Sequence, residues 1–159
     1  MDINMTNNDY YEFETTSHNL KGLVVISHGM AEHIGRYSWL IEKLNTDGYS
    51  VIAKDHRGHG KNILKGMTPG FFSNKNGWTK VSDDLRNTIN FAIAKHPNID
   101  CFLLGHSMGS WIALSLLDRK LNINGLVITG SSKLSGFLIY TQLMLVKFEV
   151  YVKRHTKVS

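Results

Sequence analysis

The sequence predicts an α/β fold: a doubly wound, mostly parallel sheet with helices packed on both faces. Three observations carry this. Continuous apolar runs, typical of strands buried on both sides, recur at residues 23–27, 49–53, 101–104 and 125–129. Stretches of helical apolar period separate them, and most connections are short. One junction, Gly105-His106-Ser107-Met108-Gly109, is a G-x-S-x-G turn set directly between a buried strand and a helical pattern.

Residues 1–9 are polar and read as a mobile N-terminus, and residues 10–16 hold one short strand. Leu23-Val24-Val25-Ile26-Ser27 is a central strand, and His28-Gly29 opens the loop after it. Tyr37, Leu40, Ile41 and Leu44 fall at i, i+3, i+4 and i+7, an amphipathic helix closed by Asp47-Gly48. Residues 49–53 form the next strand, followed by the glycine-rich loop Asp55-His56-Arg57-Gly58-His59-Gly60. Residues 61–78 show no period and contain Gly66, Pro69, Gly70 and Gly77, which predicts a long loop. Val81, Leu85, Ile89, Ala92 and Ile93 make a helical stripe that stops before Pro97. After the strand at 101–104, Met108, Ile112, Ala113, Leu116 and Leu117 form the inward face of a helix that also carries Asp118. In a parallel sheet the loops after residues 27, 54, 104 and 129 share one edge, where chemistry gathers.

The turn at Ser107 is so tight that side chains two positions either side of it would collide, and Gly105 and Gly109 remove them. The serine is left in a strained conformation, its hydroxyl lifted clear of the sheet. It also stands at a helix N-terminus, where free N–H groups favour negative charge. These are the properties of an acyl-transfer nucleophile. Attack on an acyl carbon makes an oxyanion that needs two fixed N–H donors. Met108, the residue after the serine, offers one, and Met30, in the loop opened by His28-Gly29, offers the other.

Composition narrows the alternatives. With 159 residues, 42% of them hydrophobic and 19% charged, the chain suits one ordinary globular core. The net charge of +5 is scattered, its one cluster being Lys153, Arg154 and Lys157, so no nucleic-acid partner is expected. The single cysteine, Cys101, excludes an internal disulfide and reads as an inert core thiol. No basic-then-apolar signal pattern opens the sequence, and a reducing cytoplasm fits. His56 with His59, and His28 with His33, invite a metal, but neither pair matches H-E-x-x-H and no cysteine or carboxylate cluster completes a zinc site. No metal or cofactor is expected. Asp55 and Arg57 read instead as a pair bracing the glycine loop beside the site.

Three motifs now stand in order: His28-Gly29-Met30-Ala31-Glu32-His33-Ile34-Gly35-Arg36-Tyr37, then Asp55-His56-Arg57-Gly58-His59-Gly60, then Gly105-His106-Ser107-Met108-Gly109. With Gly70-Phe71-Phe72 and Asn76-Gly77-Trp78 ahead of Asp84-Leu85, they resemble the monoacylglycerol lipase and lysophospholipase group of α/β-hydrolases, the serine aminopeptidase S33 type. The likeness spans roughly residues 22–132. It implies an α/β-hydrolase fold, Ser107 as nucleophile and Met30 and Met108 as oxyanion donors. It also implies a small-molecule lipid substrate, an ester of a long-chain fatty acid. His28, Gly29, Glu32, His33, Arg36, Tyr37, Asp55, Arg57, Gly105, His106 and Gly109 carry over as residues that shape the elbow and its neighbouring loops.

Two departures stand out. The glycine loop runs into Lys61-Asn62, where the family has a small hydroxyl residue after the base. More severely, the fold's triad runs Ser, then acid, then His. After Ser107 the acidic residues are Asp118 and Glu149, and the one histidine is His155. Asp118 lies about three turns along the expected elbow helix, roughly 16 Å away at ~1.5 Å per residue. Neither Glu149 nor His155 follows a recognisable strand. The missing strand–helix pairs and lid need on the order of 100 further residues. The expectation is a truncated member, the N-terminal portion of the fold: a core at 10–132 and the start of a lid at 133–159.

Residues 137–152 are apolar but fall short of the ~20 residues that span a bilayer, and Lys147 and Glu149 interrupt them. By family position they begin a lid helix; a membrane-surface helix is the alternative, with peripheral membrane contact. An exposed apolar lid also favours self-association. Three functional readings remain open: a serine ester hydrolase completed by further chain or by a complementing chain, a non-catalytic remnant or lipid-binding fragment, and a peptidase or acyltransferase on the same elbow.

Overall fold

The computed structural model describes residues 4–5 and 10–132, so the lid expected at 133–159 lies outside the described residues. Six strands form one sheet: β1 (Asn4–Met5), β2 (Tyr11–Phe13), β3 (Gly22–Ser27), β4 (Tyr49–Ala53), β5 (Cys101–His106) and β6 (Gly125–Thr129). Their order is β1-β2-β4-β3-β5-β6. The β3–β4, β3–β5 and β5–β6 pairs are parallel, and β1–β2 and β2–β4 are antiparallel. Helices α1 (Ser38–Thr46), α2 (Lys61–Leu64), α3 (Gly77–Lys95) and α4 (Met108–Leu114) fill the connections, with 3-10 turns at Ile34–Tyr37 and Leu117–Arg119.

Alternation along β3 divides the core into two layers. Leu23 and Val25 join Ile52 and Leu103 beneath the α3 stripe of Val81, Leu85, Ile89 and Ala92 and beneath Ile112 and Ala113 of α4. Val24 and Ile26 face the other way and pack with Ile34 and with Ile41 of α1. All six residues of β3 are buried, which is why it reads as an unbroken apolar run. The chain leaves β4 on one side of β3 and returns as β5 on the other. Ligands bind at such reversals, outside the carboxyl ends of the strands. Register sets Ser27 beside Gly105 and His106 beside Thr129, so the loops after β3, β5 and β6 emerge together.

Several expectations change. Asn4 and Met5 of the expected mobile N-terminus pair with Glu12 and Tyr11 as an edge strand. The loop expected over 61–78 contains α2, a single turn closed by Ile63 N–H to Gly60 O (3.1 Å), too short to show a period. Strand β5 continues to His106, so the turn falls at Ser107 itself. Helix α4 stops at Leu114, because the Ser115 hydroxyl donates to Ile112 O (2.7 Å) and Leu116 N–H to Ala113 O (3.1 Å), tightening the last turn. Leu116 is buried, but Leu117 is 50% exposed rather than inward. Asp118 sits exposed on the separate 3-10 turn, not on the elbow helix. Among the described residues no helix is long and apolar enough to cross a membrane.

Candidate active site

Ser107 stands between β5 and α4 with φ 50° and ψ −118°. For a residue with a side chain this costs of order 1–3 kcal/mol and persists only where its surroundings enforce it. They do so here. Ser107 N–H donates to Thr129 O at the end of β6 (2.9 Å), and Ser107 O accepts from Ser110 N–H (2.9 Å) and from the Ser110 hydroxyl (2.5 Å). The reason for the flanking glycines is more specific than mutual crowding. A Cβ on Gly105 would lie 2.8 Å from Ser110 Cα and 2.9 Å from Gly109 O. A Cβ on Gly109 would lie 2.5 Å from the Ser27 carbonyl carbon and 2.6 Å from His28 O, because α4 starts hard against the end of β3.

The loop after β3 passes over the serine. A Cβ on Gly29 would come within 3.2 Å of Ser107 Cβ and 2.7 Å of Glu32 Oε1. Glu32 Oε1 accepts from both Gly29 N–H (2.5 Å) and the Tyr37 hydroxyl (2.6 Å). Burial raises the Glu32 pKa, but these two donors outweigh it and hold the carboxyl below its ordinary range. Among the described residues nothing accepts from the N–H of Met30 or of Met108. His28 is fully buried; its Nδ1–H donates to Gly29 O (2.8 Å) and its Nε2 accepts His56 N–H (2.9 Å). That pairing fixes one neutral tautomer. Burial lowers the His28 pKa and, aided by His28 and His59, pushes that of His56 well below the imidazole range.

Asp55 ties three elements together. Its Oδ1 accepts Ile34 N–H (2.9 Å), and its Oδ2 accepts the Tyr11 hydroxyl (2.6 Å) and Lys61 N–H (2.9 Å). The expected Asp55–Arg57 pair does not form. The Asp55 oxygens are filled by interior donors, and Arg57 reaches instead to Asp84 on α3 through a bidentate contact (Nε–Oδ2 2.6 Å, Nη2–Oδ1 3.0 Å). The glycine loop is still braced, but from the helix. Sequence reasoning missed Tyr11, Asp84 and Thr129 as partners, since each lies more than 20 positions from what it holds.

His106 is half-buried, its Nδ1 bonded to Thr129 Oγ1 (2.9 Å). His33 and Arg36 are exposed. Among the described residues no side chain hydrogen-bonds the Ser107 hydroxyl, and no group of three or more histidine, cysteine or acidic side chains could hold a metal ion.

A family model, Hydrolase_4 (serine aminopeptidase, S33), matches residues 18–148. The monoacylglycerol lipase of Mycolicibacterium smegmatis is 33% identical over 105 residues, 66% of this chain and 35% of that protein. The monoglyceride lipase of Rattus norvegicus is 34% identical over 109 residues, 68% of this chain and 34% of that protein. A thermostable carboxyl esterase from Bacillus coagulans superposes with TM-score 0.75 at 26% identity, covering 94% of this chain and 48% of its own. The chain thus spans about a third of the length of these two curated relatives. It belongs to the serine aminopeptidase S33 family and builds part of an α/β-hydrolase sheet.

Proposed function

We propose that this chain is the nucleophile-bearing part of a serine ester hydrolase acting on long-chain fatty acid esters of the monoacylglycerol or lysophospholipid type. The observation that carries the reading is Ser107 at φ 50° with the Gly29 backbone against it. The Ser107 hydroxyl attacks the ester carbon while a base takes its proton. The N–H groups of Met30 and Met108 receive the oxyanion, each worth about 3–4 kcal/mol by analogy with measured oxyanion donors. The alcohol leaves with that proton, and water then hydrolyses the acyl-enzyme. Glu32 positions the loop by holding Gly29 N–H and Tyr37. The lipid class is supported by the names of the two lipase relatives.

The base is an imidazole from outside the described residues. His28 has both ring nitrogens engaged, and His56 is buried with its Nε2 facing Ser27 Oγ (3.2 Å). This observation favours a second reading for the 159 residues by themselves, a fold fragment without turnover. Self-association follows from the same picture: β6 has a partner on one side only among the described residues, and its Val127 is 51% exposed. Peripheral membrane contact through residues 137–152 rests on their apolar sequence.

The test is a chimera joining residues 1–132 to the C-terminal part of the M. smegmatis lipase. A cooperatively melting chimera should release glycerol from a monoacylglycerol, and Ser107→Ala should cut the rate at least ~10³-fold. A folded chimera that does not hydrolyse the ester, or that keeps its rate without Ser107, contradicts the proposal.

A further inference from the structure

We infer that His28 is a positioning residue for the oxyanion donor: it fixes the peptide between Gly29 and Met30 so that Met30 N–H faces out of the interior, and the loop after β4 dictates the ring tautomer that does so. In a trans peptide the C=O and N–H bonds point in opposite directions. No cis peptide bond occurs among the described residues. His28 is fully buried, and its Nδ1–H holds Gly29 O (2.8 Å). Met30 N–H, on the far side of the same peptide, is thereby turned away from the core, and among the described residues nothing accepts from it. The Met30 side chain does not anchor this orientation, since it is 66% exposed.

The segment does not keep this shape by itself. Ala31 lies at φ 57°, a conformation that a residue with a side chain holds only where its surroundings enforce it. Clamps stand on both sides of it: Glu32 Oε1 accepts Gly29 N–H (2.5 Å), and Asp55 Oδ1 accepts Ile34 N–H (2.9 Å). Neither touches the peptide that carries the donor, whereas His28 does. The ring donates to Gly29 O only while its proton is on Nδ1. His56 N–H keeps it there by occupying the Nε2 lone pair (2.9 Å). A half-turn of the ring would put carbon atoms at both contacts, and the rings of His56 and His59 pack against it with centroids at 4.2 and 5.5 Å. The backbone of the loop after β4 thus reaches the oxyanion site in three links: His56 N–H, the imidazole, and the Gly29–Met30 peptide. That Met30 N–H serves an oxyanion rests on the hydrolase reading above; the orientation of the peptide does not.

Two variants separate the two ends of the ring. An asparagine amide N–H falls near the Nδ1 position, and a glutamine amide oxygen near Nε2, so His28→Asn keeps the bond to Gly29 O and His28→Gln keeps only the one from His56 N–H. In the 159-residue chain with isotopically labelled methionine nitrogen, the Met30 amide resonance (assigned with Met30→Leu) should stay in place in His28→Asn and shift in His28→Gln. A resonance that stays in both, or shifts equally in both, overturns the inference. If either variant fails to melt cooperatively, the unmodified chain decides: the ring nitrogen chemical shifts must show His28 protonated at Nδ1 and bare at Nε2, and the opposite tautomer overturns it. In the chimera, His28→Gln should lower kcat for a monoacylglycerol by about 10²–10³-fold, as loss of one oxyanion donor does, with KM changed less than about twofold, while His28→Asn keeps most of the rate. A loss carried by KM, or an equal loss in both variants, contradicts the positioning role. A Met30 resonance that follows His28 beside a folded but inactive chimera would leave this inference standing and remove the hydrolase reading; an active chimera indifferent to His28→Gln would do the reverse.

Discussion

Replacing Gly109 with valine puts a branched side chain where the backbone of β3 already stands. A Cβ at 109 would be 2.5 Å from the Ser27 carbonyl carbon and 2.6 Å from His28 O, closer still to Ser27 O, whereas ordinary contact begins at 3.4 Å. Helix α4 would have to retreat by about 0.9 Å or more, and β3 cannot yield because every one of its residues is buried. Overpacking commonly costs 1–3 kcal/mol, and a clash with central backbone belongs at the top of that range, ~3 kcal/mol. In a chain of this size that lowers the melting temperature by about 6–12 °C. Ser107→Ala removes a hydroxyl that nothing among the described residues bonds, and should change stability by no more than ~0.5 kcal/mol. Thermal and urea melts of the two variants, followed by far-UV circular dichroism, decide the matter. If Ser107→Ala proved the more destabilising, Ser107 would be a structural hydroxyl and the elbow reading would be wrong.

Three further outcomes are expected. Stability should fall as pH drops below about 6.5, because His28 and His56 have depressed pKa values when folded and the unfolded chain takes up protons that the folded one refuses. The slope approaches, and does not exceed, ~1.4 kcal/mol per pH unit for each histidine, and urea midpoints that stay level from pH 7.5 to 5.5 would contradict it. The 159-residue chain alone should hydrolyse p-nitrophenyl butyrate far below the ~1–10³ per second of ordinary enzymes; Ser107-dependent turnover in that range would show that a histidine here, His155 first, has been recruited. Deleting residues 134–159 should reduce self-association in light scattering, and a monodisperse full chain would argue against the exposed-edge picture.

Much of this was legible in the sequence because burial writes itself into local pattern. Strand β3 reads as a continuous apolar run since both its faces are covered, and α3 shows its stripe because Val81, Leu85, Ile89 and Ala92 all enter one core. The elbow is legible for a different reason: its glycines answer to close approaches within one turn and to β3. What stayed hidden depends on distance or brevity. Arg57 chooses Asp84 over Asp55 because of where α3 lies, a fact absent from either loop. Asp55 is tied to Tyr11, 44 positions away. Helix α2 is one turn long, and α4 ends early through a serine hydroxyl, too local an event to disturb the apolar period that carried the expectation to Leu117.

The most direct measurement is covalent capture of the nucleophile. The chimera that supplies acid and histidine is incubated with a long-chain alkyl fluorophosphonate and examined by intact-protein and peptide mass spectrometry. One adduct per chain, on the peptide containing Ser107, absent in Ser107→Ala and formed orders of magnitude more slowly in the 159-residue chain, is the expected result. An adduct on another residue, or one that persists in Ser107→Ala, would mean that the strained serine between β5 and α4 is not the nucleophile.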